Sequence, residues 1–200
     1  MDSPAPLQRL SYAEMDKLDP DQRWELIDGI AYAMSSPSLA HQLAIGEFHV
    51  VLKQHFRGGP CRVVLAPFDV KISDFDVVQP DLLVSRQNQF DMRYHRGAPD
   101  LVIEFLSTHS LRHDRVRKLH LYARAGVKEY WIVNPSPLMV EVLSHEGAGF
   151  MTRGAYSEEH VLQSFRFPEL RINLAEIAAV LPPPEFPEAL QEPVPVYAIP

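Results

Sequence analysis

The stretch DLVIEFLSTHSLRHDRVRKLHLYARAGVKEYWIVN, residues 100–134, decides the fold. Leu101 to Leu106 is a run of large apolar residues broken only by Glu104, the pattern of a strand buried on both faces. From about Ser110 to Ala125, Leu111, Leu121, Tyr122 and Ala125 fall on one side at roughly 100° per residue, which predicts a helix. Gly126 just past its end is the expected stop. Glu129 to Asn134 (EYWIVN) predicts the next strand. Strand, helix and strand in that order require a crossover, so the two strands are expected as parallel neighbours.

Upstream, Ser11 with Glu14 three residues later marks a short helix. Arg23 to Ser35 (RWELIDGIAYAMS) predicts a hairpin turning on Asp28-Gly29. Pro37 and Ser38 open a helix that reaches about His55, with Leu39, Leu43, Phe48 or Val50 to Val51, and Leu52 as its apolar content, before Gly58-Gly59-Pro60 stops it. Cys61 to Ile72 reads as strand interrupted at Pro67, Val77 to Ser85 (VVQPDLLVS) as one further strand, and Asp91 to Pro99 as a polar loop. Downstream, Leu138 to Ser144 predicts a strand, Phe150 to Phe167 another pairing, and Leu174 to Leu181 a last short helix. Hairpins on both sides of the crossover make the class α/β (α+β): a mixed twisted β-sheet flanked by helices, with an N-terminal hairpin.

A length of 200 residues sets one domain as the expectation, over 11–181, with a loose arm at 1–10. Residues 182–200 hold seven of the 18 prolines and three glutamates without a basic residue, which predicts an extended tail rather than a core element. With 46% hydrophobic residues the bulk of the chain is not disordered. No apolar run reaches the ~18 residues of a membrane span, and the N-terminus has neither the basic start nor the apolar core of a signal peptide. The single cysteine, Cys61, forms no internal disulfide and no cysteine-based zinc cluster. These features predict a cytoplasmic protein. A net charge of −7 argues against coating nucleic acid by bulk electrostatics, although Arg112, Arg115, Arg117 and Lys118 crowd one segment.

Function is carried by charges placed where periodicity asks for apolar groups. Glu104 interrupts the apolar strand, and a carboxylate buried there must be paired, protonated or bound to a cation. Asp81, after Pro80, opens a strand, where an acid sits at the strand's end. Asp100 shares a face with Glu104 but lies four residues away, roughly 13 Å along a strand, too far to share an ion. Lys118 falls in the middle of the helix's apolar stripe with Asp114 one turn before it, and Glu104 is its natural partner. Glu25 is an acid among apolar residues in Trp24-Glu25-Leu26-Ile27, with Glu25 and Ile27 on one face. Taken alone, Glu104 also fits a structural ion pair or a strand edge facing water, Asp81 a turn-closing acid and Glu25 an edge strand. Together, two carboxylates, Asp81 and Glu104, with hard oxygen donors point to Mg²⁺ or Mn²⁺. With Lys118 beside them they describe a site for phosphodiester hydrolysis.

The segments WELIDGIAYAM (24–34), SPS and HQ (36–42), APFDVKI (66–72), VQPDLLV (78–84), PDLVIEFLS (99–107), DRVRKLHLYARAGVKEYWIVNP (114–135), VEVL (140–143) and FPELRINLAEI (167–177) together resemble the Uma-two family, restriction-endonuclease-like members of the PD-(D/E)xK nuclease superfamily. The resemblance implies the restriction-endonuclease-like fold, DNA as substrate and a homodimer. It implies Asp81 as the acid of the PD motif, Glu104 as the acid of the (D/E)xK position, Glu25 as a helper acid and Lys118 as the catalytic lysine. Leu106 stands where the superfamily pattern expects that lysine, so the ammonium group comes from the following helix. His41, Asp114 and Tyr122 are candidate accessory residues. His41 stands in the SPS and HQ stretch, where it contacts phosphate or caps and packs a helix. No Gly-x-Ser-x-Gly elbow and no phosphate-cradling glycine loop is present. Two other readings stay open: an interaction protein that keeps the fold without catalysis, and a metal-free hydrolase using an acid pair on a sugar.

Overall fold

The computed structural model describes residues 9–34, 36–106 and 113–183, with the backbone alone for 113–115. The expected arm and tail lie almost wholly outside these residues, as do the side chains of Asp114, Arg112 and Arg115.

The elements follow in chain order: α1 (Tyr12–Met15), β1 (Trp24–Ile27), β2 (Ile30–Ala33), α2 (Leu39–His55), β3 (Cys61–Leu65), β4 (Asp69–Lys71), β5 (Val77–Val78), β6 (Leu82–Arg86), β7 (Tyr94–Arg96) and β8 (Leu101–Phe105). A π-helical stretch, His113–Lys118, runs into α3 (Leu119–Ala125), followed by β9 (Glu129–Pro135), β10 (Leu138–Glu146), β11 (Gly149–Ser157), β12 (Val161–Gln163), β13 (Arg171–Asn173) and α4 (Leu174–Ala178). Six strands form one mixed sheet in the order β11-β10-β9-β8-β6-β3. Its one parallel pair is β8 with β9, as the crossover requires. Five short strands, β2-β1-β5-β4-β7, form a second sheet, and β12-β13 are a separate pair.

The class is as the sequence predicts, but the strands divide differently. Cys61 to Ile72 and Val77 to Ser85 are each split between the two sheets, the chain crossing at Ala66-Pro67 and again at Pro80-Asp81. Proline has no N–H for a ladder, so each is a natural point of departure. The loop expected over Asp91 to Pro99 contains β7, which runs parallel to β4. The helix expected from Ser110 is π-helical from 113 to 118 and α-helical only from Leu119.

Local signals explain the framework. Asp28 and Gly29 both have positive φ, 53° and 78°, the geometry of the tight turn between β1 and β2. Ser38 caps α2 by accepting from the His41 N–H at 3.3 Å. Gly126 ends α3 in the left-handed conformation at φ 80°. Glu14 accepts from Ser11 N at 2.7 Å to close the α1 cap.

The large sheet carries a core on each face. Leu82, Val84, Leu101, Ile103 and Phe105 face α2, which packs Ala44, Ile45, Phe48 and Leu52 against them. Leu39, expected among α2's apolar contacts, is instead exposed at the first turn, and Leu43 is exposed too. On the opposite face Leu83 and Val102 meet Leu121, Tyr122 and Val127, together with Ile27, Val70 and Val78 of the second sheet.

His95, fully buried in β7, places Nε2 2.9 Å from Ser85 Oγ and Nδ1 3.2 Å from the Gly97 carbonyl. Burial pulls its pKa below the usual 6.5. The folded state therefore keeps this ring neutral while the unfolded chain takes up a proton. The sign is fixed: His95 contributes stability above about pH 6.5 that is lost on acidification below it. Urea denaturation of the wild type and His95→Gln at pH 7.5 and 5.5 is expected to show the wild type losing more stability on acidification. Equal losses would contradict this assignment.

Candidate active site

Glu104 occupies the fourth position of β8, where alternation turns it with Val102 toward α3 and away from α2. Register sets what faces it. Leu82 pairs with Ile103 and Leu83 with Val102, so Asp81, just before the first paired residue, lies beside the Glu104-Phe105 end of β8. Asp81 is at the point where the chain enters the large sheet, and its Oδ2 accepts from the Phe105 N–H at 2.8 Å. Asp81 is also approached by His41, whose Nε2 stands 3.3 Å from the same oxygen.

Lys118, at the end of the π-helical stretch, projects into the same space. Its Nζ lies 2.9 Å from Glu104 Oε1 and 2.9 Å from Glu25 Oε1. All three side chains are only 3% exposed. A buried ammonium between two carboxylates is the arrangement that makes burial of these charges tolerable. Tyr122, one turn later on α3, donates its hydroxyl to Glu104 Oε1 at 2.7 Å. Burial, followed by the Glu104 charge, holds the Tyr122 phenol well above its ordinary pKa, so it serves as a donor and stays protonated.

Glu25 reaches the group from the second sheet. In β1 it lies on the face of Ile27, while Leu26 packs in a separate cluster with Met15 and Val77. Its Oε1 accepts from the backbone N–H of Gln79 at 2.8 Å. The hairpin is fixed against the π-helical stretch and α3 at two further points. Arg124 NH2 meets Asp28 at 2.8 Å and Asp76 at 2.6 Å, and the Arg117 guanidinium lies 4.5 Å from the centre of the Tyr32 ring.

Glu25, Glu104, Lys118 and Tyr122 therefore meet in one cluster, and Asp81 with His41 borders it through Phe105. Asp100 stays outside, paired with Arg166 at 2.9 Å. Sequence reading missed Gln79. Its Nε2 donates to Asp69 Oδ1 at 2.9 Å while Tyr12 donates to Asp69 Oδ2 at 2.9 Å, so Gln79, two residues before Asp81, is braced from both ends. Its place beside Pro80-Asp81 was the available signal.

The formal charge of this constellation is three carboxylates against one ammonium, a surplus of two negative charges when His41 is uncharged. That surplus and the hard oxygen donors match Mg²⁺ or Mn²⁺, which are held by one or two carboxylates and keep several waters. Among the described residues no cluster of three or more His, Cys, Asp or Glu is arranged to hold a metal by itself. Asp81, 16% exposed at its side chain, is the reachable edge.

The fold is a mixed α/β sheet with a parallel crossover, carrying an acid at a strand entrance and a lysine folded back onto the central strand. The chain belongs to the Uma2 family, described as "Putative restriction endonuclease", whose profile matches residues 10–175. Among solved structures it is similar to "a putative nuclease belonging to DUF820" from Anabaena variabilis, with a TM-score of 0.70 and 18% identity over 85% of this chain and 98% of that one. No curated protein matches.

Proposed function

We propose that this chain is a Mg²⁺-dependent endonuclease that hydrolyses phosphodiester bonds of DNA. The observation that carries the reading is Lys118 Nζ at 2.9 Å from both Glu25 and Glu104, with Asp81 bonded to the N–H of Phe105, the residue next to Glu104. Asp81 and Glu104 would hold the divalent ion, which when bound polarises the phosphate and lowers the pKa of a water. Glu104 is oriented for this by Tyr122 and Lys118 on one of its oxygens, and Asp81 by the Phe105 N–H. Glu25 fixes Lys118 from the far side. The ammonium of Lys118 stabilises negative charge that grows on the phosphate oxygens as water attacks phosphorus and one P–O ester bond breaks. Water supplies the hydroxyl that ends on phosphorus and the proton that ends on the departing oxygen. Family membership supports the substrate class.

Plasmid DNA incubated with the protein and Mg²⁺ or Mn²⁺ is expected to be nicked or linearised, and EDTA to stop it. Asp81→Ala is expected to reduce the rate at least about 100-fold, the scale for losing a positioned electrostatic group in a closed site. Cleavage that persists in EDTA or in Asp81→Ala would overturn the reading.

A further inference from the structure

We propose that His41 is a positioning residue that fixes which oxygen of Asp81 is offered to the divalent ion and so sets the choice among divalent ions. The inference rests on the reading that Asp81 and Glu104 hold such an ion.

The carboxylate of Asp81 is engaged on one oxygen only. Oδ2 accepts from the Phe105 N–H at 2.8 Å and lies 3.3 Å from His41 Nε2. Among the described residues Oδ1 has no hydrogen-bond partner. One N–H donor leaves a carboxylate free to swing about that contact. A second nitrogen, arriving from α2 on the other side of the sheet, fixes the plane and turns Oδ1 outward.

The environment of His41 shows what the ring is for. The side chain is 9% exposed, and its ring packs edge-on against Phe105 with centroids 5.8 Å apart. Its other nitrogen, Nδ1, is buried without a partner among the described residues. His95, a histidine that serves packing, has both ring nitrogens matched. An apolar residue in place of His41 would cover Phe105 without stranding a polar atom. The polar edge of the ring is thus accounted for by Asp81 alone. The Ser38 cap holds the first turn of α2, and with it His41, in place.

A carboxylate held by one oxygen offers the other as a single donor. Mg²⁺ and Mn²⁺ sites of the octahedral kind take such single oxygens, whereas Ca²⁺ accepts a carboxylate through both. Freeing Asp81 therefore harms the smaller ions selectively.

The test titrates Mn²⁺ and Ca²⁺ separately into the full chain by calorimetry, for wild type, His41→Leu, His41→Gln and His41→Asn. The Gln amide nitrogen reaches the position of Nε2, and the shorter Asn amide does not. In His41→Leu the Mn²⁺ affinity is expected to fall about tenfold, equivalent to about 1.4 kcal/mol, with Ca²⁺ affinity unchanged and thermal stability retained. His41→Gln is expected to recover most of the Mn²⁺ affinity and His41→Asn none. If His41→Leu does not fold, the Gln and Asn variants carry the comparison. Unchanged Mn²⁺ affinity in His41→Leu, equal weakening of both ions, or identical Gln and Asn variants would overturn the proposal while leaving the metal reading intact. A wild type that takes up neither ion would overturn both.

Discussion

Replacing Lys118 with methionine is expected to lower the unfolding free energy by about 3–5 kcal/mol, the usual cost of removing one member of a buried ion pair, and to abolish cleavage. The reason is the geometry around Nζ. Glu25 and Glu104 both contact it at 2.9 Å, and all three side chains are almost fully buried. Methionine fills much of the same volume, so the loss is charge rather than packing. Two carboxylates then face each other across a dry space, the Tyr122 hydroxyl on Glu104 and the Gln79 N–H on Glu25 being neutral donors that leave both charges in place. One of them must take up a proton or a cation. Adding Glu25→Gln to the Lys118→Met chain is expected to recover part of the stability and none of the activity. Urea denaturation with and without Mg²⁺ reads the first quantity and plasmid cleavage the second. A Lys118→Met protein as stable as wild type without added cation would refute the argument.

Glu129→Ala is expected to be as damaging to stability, though it touches none of the proposed chemistry. Glu129 is wholly buried at the start of β9. Its carboxylate accepts from Trp131 Nε1 at 2.6 Å, Ser164 Oγ at 2.8 Å, Phe165 N at 3.1 Å and Arg166 N at 2.5 Å. The acid binds the turn after β12 to the large sheet, beside the Arg166–Asp100 ion pair. Alanine leaves these donors facing an empty space, and each buried unsatisfied polar group costs about 1–3 kcal/mol. With allowance for water entering the partly open end at Phe165 and Arg166, the expected loss is about 3–5 kcal/mol. Hydrogen exchange should show it first in residues 161–173. A variant whose amide protection there matches wild type would contradict this role.

The legible part of the site was the part that broke a pattern. Glu104 stood out because five apolar neighbours surround it, and Lys118 because it interrupts a helical stripe; the structure brings the two within 2.9 Å. Asp81 was legible through Pro80-Asp81 at a strand entrance. Glu129 was not, because it opens a strand in an unremarkable place and three of its four donors come from a loop some 35 residues away in sequence. Asp69 and Gln79 lie in short stretches, Phe68-Asp69-Val70 and Val78-Gln79-Pro80, where strand alternation accommodates a polar residue without violating a pattern. The division into two sheets was illegible for a related reason: a proline inside VVQPDLLVS marks equally well a strand's first residue or a passage from one sheet to another, and only the packed partners decide. β7 was hidden by its composition, Tyr94-His95-Arg96 within a polar loop.

The two-sheet construction bears on how the polypeptide tolerates truncation. A fragment starting at residue 36 would retain every strand of the six-stranded sheet, together with Asp81, Glu104 and Lys118. It would nevertheless be missing half of the counter-charge that lets an ammonium group live in a dry interior. The hairpin, remote in sequence and modest in size, is thus no dispensable ornament: minimal versions of this protein must begin before Trp24.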